Sequence, residues 1–284
     1  MDNKLYTFLT VCHTMNYRKA AELLHLTQPA ITKQIKSLEH TFQTRLFNYD
    51  GHILHKTESC LMLEQYAISM QYNYEELMLA MHKSKRTLLR IGATKTIGDY
   101  VLNPYLIQYL SVSENEASLT VSNTEQLLKM LDSNELDFAI IEGPFSKAKY
   151  GHYLLRNEPF VGACSIQSPM CGKTISIENL LPETLILREK GSGTRNILES
   201  RLNSYGYQIN DFNHVISISS FNAIKHIVQA GIGITFLYES VIKEDKAIGT
   251  FHVNEVTTPH EFNVIYTKNS AARKYSKLFL GIQS

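Results

Sequence analysis

The sequence predicts an α/β protein in three parts: an all-α helix-turn-helix head with a two-stranded wing, one long linker helix, and a larger domain of two α/β lobes. Three observations predict it. Residues 16–47 hold two short helical patterns with almost nothing between them. Residues 58–85 run without proline or glycine. From residue 86 onward, strand-like and helix-like runs alternate to the end of the chain. At 284 residues there is room for two or three compact units, and a hydrophobic content of 44% suffices for a sizeable core.

The head is carried by NYRKAAELLHLTQPAITKQIKSLEHTFQTRLF. Its two helices are expected over residues 18–25 and 28–40. Thr27 can cap the second, and Pro29 is tolerated in a first turn whose amides have no intrahelical acceptor. Ala20, Leu24, Leu26, Ile31, Ile35 and Leu38 recur at helical spacing and should face a common core. The opposite face of the second helix presents Gln28, Thr32 and Lys36 at i, i+4 and i+8, with Lys33 alongside. Amide, hydroxyl and ammonium groups in that array can reach base edges and phosphates in a major groove. A lone polar helix face is more often simply solvated. Two short helices joined by a three- to four-residue turn reverse those odds.

Asp50-Gly51 precedes His52-Ile53-Leu54-His55-Lys56 and marks the tight turn of the wing. Ala20-Ala21, Leu24, Thr27-Gln28-Pro29-Ala30, Ile35, Leu38-Glu39 and Arg45-Leu46-Phe47 together resemble the amino-terminal winged helix-turn-helix of LysR-type transcriptional regulators. The resemblance implies that Gln28, Pro29, Thr32 and Lys33 meet bases of double-stranded DNA while Lys36 and nearby groups hold phosphates. Arg18, His52 and Lys56 complete the candidate DNA-binding residues. Wings of this family usually carry arginines. Here Asp50 adds a charge of the same sign as phosphate, so weaker, more salt-sensitive wing contacts are expected.

Charge does not announce the DNA. Net charge is +1, and residues 1–60 hold seven Lys and Arg against five Asp and Glu, so binding must rest on local placement. The apolar run in MDNKLYTFLTVCHTM is too short to span a bilayer and lacks a basic leader, which predicts a first helix and a cytoplasmic protein without a membrane partner. The four cysteines, Cys12, Cys60, Cys164 and Cys171, show neither zinc-site pairs nor a disulfide framework. No metal and no cofactor are expected.

In the linker, Leu63, Ala67, Met70, Tyr74, Leu77 and Met81 alternate at spacings of four and three, the seam of a two-stranded coiled coil. A homodimer is predicted, because one helix-turn-helix contacts few base pairs and two-fold symmetry doubles the site. The resemblance adds homotetramers and RNA polymerase as further partners.

From Leu88 a β-α-β-α-β series predicts a parallel sheet: a strand over 88–92, a helix over 94–110, a strand over 117–121, a helix over 124–131 and a strand over 136–141. A second series continues with a strand over 160–165, helix 177–181, strand 184–187, helix 193–205, strand 215–219, helix 221–230 and strand 232–237. A last strand over 260–267 and helix over 271–281 return to the first sheet. Two lobes joined by two crossings, near Val161 and near Asn263, are the type 2 periplasmic-binding-protein architecture. LysR effector domains share it, and LRIGATKTIGDY, SNTEQLLKMLDSNELDFAIIEGP, LREKGSGTR and SFNAIKHIVQAGIGITFL resemble their usual segments. The domains are drawn at 1–57, 58–86 and 87–284, with lobe I as 87–160 plus 264–284 and lobe II as 161–263.

Ligands of open α/β sheets sit beyond the carboxyl ends of the strands, where helix N-termini converge. Thr94-Lys95-Thr96, Gly191-Ser192-Gly193-Thr194-Arg195 and Ser220 form three such turns, with Asn123, Thr124 and Glu142 on the same rim. Capping explains each turn singly. Jointly they predict a small, anionic effector between the lobes, held by Thr94, Lys95, Thr96, Asn123, Thr124, Glu142, Ser192, Gly193, Thr194, Arg195 and Ser220, with Arg195 as a bidentate clamp. The Asn123-Thr124-Glu125 and Glu142-Gly143-Pro144 segments resemble the family branch that regulates cysteine metabolism and carbon fixation. The rival is a thiol-responsive regulator using Cys164 and Cys171. In peroxide-sensing members the reactive cysteine falls in the loop at 190–195, where this chain has Gly193. An enzyme is disfavoured: GSGTR lacks the Lys-Ser/Thr end of a phosphate loop, and no serine sits in a G-x-S-x-G elbow.

Overall fold

The computed structural model describes residues 2–51, 53–82 and 88–282. His52, a candidate DNA contact, and residues 83–87 at the expected end of the linker lie outside them. The head comprises α1 (Asn3–Thr14), α2 (Tyr17–Leu23), α3 (Gln28–Phe42) and the wing strands β1 (Phe47–Tyr49) and β2 (Leu54–Lys56). Asn16 caps α2 by accepting from the amides of Arg18 and Lys19, and Thr27 caps α3 by accepting from Ala30. Glu39 accepts the Leu46 amide at 2.9 Å, which ties the chain leaving α3 back onto that helix. Phe8, Val11, Ala20, Ile31, Ile35, Leu38 and Leu46 fill the core of the head. Leu26, expected in that core, is exposed because it lies in the turn between helices and not on the buried face of either.

The linker is α4 (Glu58–Met81), capped by Thr57. It packs at its amino end on the head through Cys60 and Ala67, and farther along on lobe I. There Ser69 donates to the Lys268 carbonyl, Asn73 to the Asn269 carbonyl at 2.9 Å, and Tyr275 to Glu76. The expected dimer seam is corrected at one position. Ala67 is fully buried inside its own chain, whereas Met62, Tyr66, Met70, Tyr74, Leu77 and Met81 are exposed. Leu63 is half-buried against the head. A single helix must bury one side on its own protomer, and periodicity does not say which apolar stripe does so.

Lobe I contains β3 (Leu88–Ala93), α5 (Asn103–Leu110), β4 (Glu116–Val121), α6 (Thr124–Asp132), β5 (Phe138–Ile141) and β6 (Tyr150–Glu158). Lobe II contains β7 (Phe160–Ser165), α7 (Ile177–Leu180), β8 (Thr184–Leu187), α8 (Gly193–Ser204), β9 (His214–Ser217), α9 (Phe221–Gln229), β10 (Ile234–Tyr238) and β11 (Ile248–Phe251). The chain returns to lobe I through β12 (His260–Thr267) and α10 (Ala272–Phe279). Strand order is β4-β3-β5-β12-β6 in the first sheet and β11-β7-β10-β8-β9 in the second.

Both sheets are mixed where parallel ones were expected. β12 runs antiparallel to β5 and β6, and β7 runs antiparallel to β10 and β11. A crossing strand enters its new sheet from the opposite end, so it pairs antiparallel there. β6 and β11 were not anticipated. Val161 and Asn263 lie inside β7 and β12, and the chain leaves one sheet for the other at Pro159 and again before His260. The single helix expected over 94–110 is split: a π-helical turn covers Ile97–Val101, and Pro104, in the first turn of α5, cannot continue a preceding hydrogen-bond ladder.

Candidate functional site

On the head, Gln28, Pro29, Lys33 and Lys36 are exposed along one side of α3, and Thr32 is half-buried with its hydroxyl donating to the Gln28 carbonyl at 3.0 Å. Arg18 is exposed at the start of α2, 3.5 Å from Glu22. The wing is less free. Lys56 donates to both oxygens of Glu64 at 2.7 and 2.8 Å, and His55 pairs with Asp50 at 2.8 Å. In this arrangement Lys56 fastens the wing to the linker, and a phosphate would have to compete with Glu64 for its ammonium.

Between the lobes lies a cleft of about 1100 Å³. Lobe I supplies Thr94, Lys95 and Thr96 after β3, the Ser122–Glu125 turn after β4, and Glu142–Pro144 after β5. Lobe II supplies Arg188 through Thr194 after β8, with Ile197 and Arg201 farther down α8, and His260 closes the back. Gly191 turns the chain with φ of +88°, a left-handed conformation that glycine adopts without steric cost. That turn aims the N-terminus of α8 into the cleft. Ser192 makes no side-chain cap, so the first-turn amides of α8 keep their donors for something else. Gly143 is required by packing: a side chain there would meet Thr124.

Two anticipated residues point elsewhere. The Arg195 guanidinium binds Glu199 at 2.7 Å and the Arg188 carbonyl at 3.2 Å, and it does not line the cleft. Ser220 caps α9, accepting from Ala223, and also stays outside. Asn123 spends its carbonyl oxygen capping α6. Arg188, Arg201 and His260 stand in the cleft without having been anticipated. Arg188 is buried, its guanidinium 4.2 Å from the Phe221 ring centre and held by both oxygens of Glu189 at 2.8 Å. Arg201 reaches Thr258 at 3.0 Å. His260 is held below its ordinary value by burial and by Arg201, and among the described residues its Nε2 has no hydrogen-bond partner. Glu142 accepts from the Thr94 hydroxyl. Burial pushes its carboxyl up to about 7, against the pull of the Arg188 charge.

Three of the four thiols are buried, and Cys171 is half-buried. Cys164 is buried, and burial raises its thiol above the ordinary value. Cys12 and Cys60, also buried, face each other with sulfurs 3.7 Å apart between α1 and α4.

Residues 3–60 match the model of the bacterial regulatory helix-turn-helix of the lysR family, and residues 82–282 match the LysR substrate binding domain. The chain belongs to the LysR family of transcriptional regulators. This LysR-type regulator is 32% identical to the HTH-type transcriptional regulator CysL of Bacillus subtilis (strain 168), over 97% of this chain and 94% of that one. It is 32% identical to the transcriptional activator CmpR of Synechocystis sp., over 81% and 76% of the two chains. Among solved structures it resembles full-length LysG of Corynebacterium glutamicum with bound effector Arg, with a TM-score of 0.69 at 15% identity over 99% and 96% of the chains. The regulatory domain of Synechocystis CcmR in complex with 2-PG gives a TM-score of 0.60 at 22% identity, over 69% of this regulator and 97% of that chain. No helix among its described residues is long and apolar enough to cross a membrane.

Proposed function

We propose that this LysR-type regulator is controlled by a small anionic metabolite bound between its two lobes, and that it reads DNA as a dimer through Gln28, Pro29, Thr32, Lys33 and Lys36. The observation that carries the effector reading is the donor set around the cleft. Thr94, Thr96, Ser192 and Thr194 converge there with the open N-terminus of α8, and Arg188 and Arg201 stand behind them. Such a set favours an oxyanion through directional hydrogen bonds and the helix dipole. Bulk charge does not supply the preference, since four cations (Lys95, Arg188, Lys190, Arg201) face three carboxylates (Glu125, Glu142, Glu189).

Two similar structures support a small-molecule effector, though not its charge: CcmR was solved in complex with 2-PG, and LysG with bound effector Arg. Burial of Cys164 and the raised position of its thiol weigh against that half of the redox alternative, because the thiolate is the reactive form; Cys171 is only half-buried. Dimerisation is assigned to the exposed stripe Met62, Tyr66, Met70, Tyr74, Leu77 and Met81.

Calorimetry with candidate anionic metabolites tests the effector site. Thr94→Ala should lose at least tenfold in affinity for whichever metabolite binds the parent chain, while Arg195→Ala should change it by less than twofold. Equal affinities in all three proteins would refute the site.

A further inference from the structure

Glu142 is an odd residue to find in an anion site. It stands at the end of β5 in lobe I, yet its carboxylate accepts from Thr94 Oγ1. Its Oε1 lies 3.8 Å from where a side chain on Gly193, the first residue of α8 in lobe II, would begin. The carboxylate is thus bonded to a hydroxyl donor of its own lobe and lies close to the amino end of α8 in the other, where an effector oxyanion would be favoured.

We propose that Glu142 is a resident stand-in for the ligand: in the empty cleft its carboxylate holds the anion subsite, and a small oxyanion enters only when Glu142 is neutralised or displaced. The inference rests on the effector reading above and adds a competitor to it. Bringing a second anion beside an ionised Glu142 places two like charges within a few ångströms in a partly dry site, an arrangement that forces one of them to take a proton. The protonated acid, by contrast, donates a hydrogen bond to the incoming anion. Binding is then coupled to the uptake of one proton.

The other groups around Glu142 do not supply that proton. From β8 and the turn after it, Arg188 is fixed by Glu189 and by the Phe221 ring, and stays charged. Lys95 after β3 leans toward Asp99 at 3.8 Å. Tyr238 of β10, whose buried hydroxyl has no hydrogen-bond partner among the described residues, is held far above neutral by burial and by Glu142 itself. His260 of β12 is held below its ordinary value by burial and by Arg201 of α8 beside it, so a proton there is disfavoured. Glu125 of α6 pairs with Lys129 at 2.7 Å, which together with its exposure keeps it ionised.

The test uses the full chain and sodium sulfate, an anion that stays doubly charged across the range studied. Affinity is measured by calorimetry from pH 6 to pH 8.5 on the parent chain, on Glu142→Gln, and on both after Thr94→Ala. With Glu142 titrating near 7, full exclusion weakens sulfate binding by about thirtyfold over that interval by one-proton linkage. Glu142→Gln should bind as tightly at pH 8.5 as the parent does at pH 6, with a flat profile. If Glu142→Gln keeps the parent's pH profile, the stand-in role is overturned while the cleft remains the effector site. If sulfate binds but Thr94→Ala leaves its affinity unchanged in the Glu142→Gln background, the anion sits elsewhere and the effector reading falls as well. No sulfate binding by Glu142→Gln at any pH overturns the anion subsite itself.

Discussion

Thr32 and Lys36 lie one turn apart on α3, yet they should fail differently when replaced. The Thr32 side chain is short and half-buried, and its hydroxyl oxygen and methyl group can act only on a base edge pressed close to the helix. Lys36 carries a mobile ammonium that suits a phosphate. Thr32→Ala should therefore reduce the ratio of specific to random duplex binding, and Lys36→Ala should weaken both alike and lower the salt slope by about one. Fluorescence anisotropy on two duplexes at several salt concentrations separates them, and equal losses on both duplexes for Thr32→Ala would contradict its base role. Glu142 makes a second residue-scale prediction. Its carboxyl rises from 4.5 in the unfolded chain to about 7 in the fold, so the folded form holds a proton that the unfolded form has released over that window. The stability this contributes is complete below about 4.5 and is lost as pH climbs through 7. Melting temperatures of the parent should thus fall relative to Glu142→Gln between pH 5 and pH 8. Parallel curves would show that the carboxyl is not perturbed.

At the scale of elements, the sequence was legible wherever one residue settles a local geometry. Asn16 and Thr27 cap helices, Asp50-Gly51 turns the wing, and Thr94 and Ser192 follow strands, so these positions could be read from residue type alone. Direction was not legible. Arg195 follows the same turn as Ser192 but leaves α8 on the side of Glu199, whereas Arg201, two turns on, comes round to the cleft. β6 escaped notice because His152 and Arg156 interrupt its apolar positions, as suits a strand at a sheet edge that must not recruit another. β11 is only four residues long and contains Gly249. The linker helix shows the same limit: spacing revealed an apolar seam, and only packing decided that Ala67 turns inward while Met62 and Tyr66 stay outside. The exposed stripe predicts that Met70→Glu with Leu77→Glu yields a monomer in light scattering with unchanged far-UV dichroism, because neither side chain is part of the protomer's core. A dimer that survives both charges would place the interface elsewhere.

Over the whole molecule, the head and the lobes communicate through α4, whose amino half belongs to the core of the head and whose middle is clasped by lobe I. Asn73 receives the Ala271 amide and donates to Asn269, and Glu76 accepts from Tyr275. Removing these clasps with Asn73→Ala and Tyr275→Phe should separate the melting of the head from that of the lobes, giving two calorimetric transitions where the parent has more nearly one. A single unchanged transition would mean that apolar packing around Tyr72 couples them without help. Among the described residues no such hydrogen bond joins lobe II to α4. Lobe II joins lobe I through two chain crossings that run side by side, with Glu158 and His260 paired across the sheet just before one crossing and just after the other, and a proline, Pro159 or Pro259, adjoining each; Phe221 also packs on Tyr100 of lobe I, ring centres 5.5 Å apart. A plate hung on two neighbouring stiff pins swings about one line and resists every other displacement. Under the proposed regulation, a ligand in the cleft would act mainly on the one angle these crossings leave free, and regulators built this way could differ in the metabolite they recognise while sharing one output.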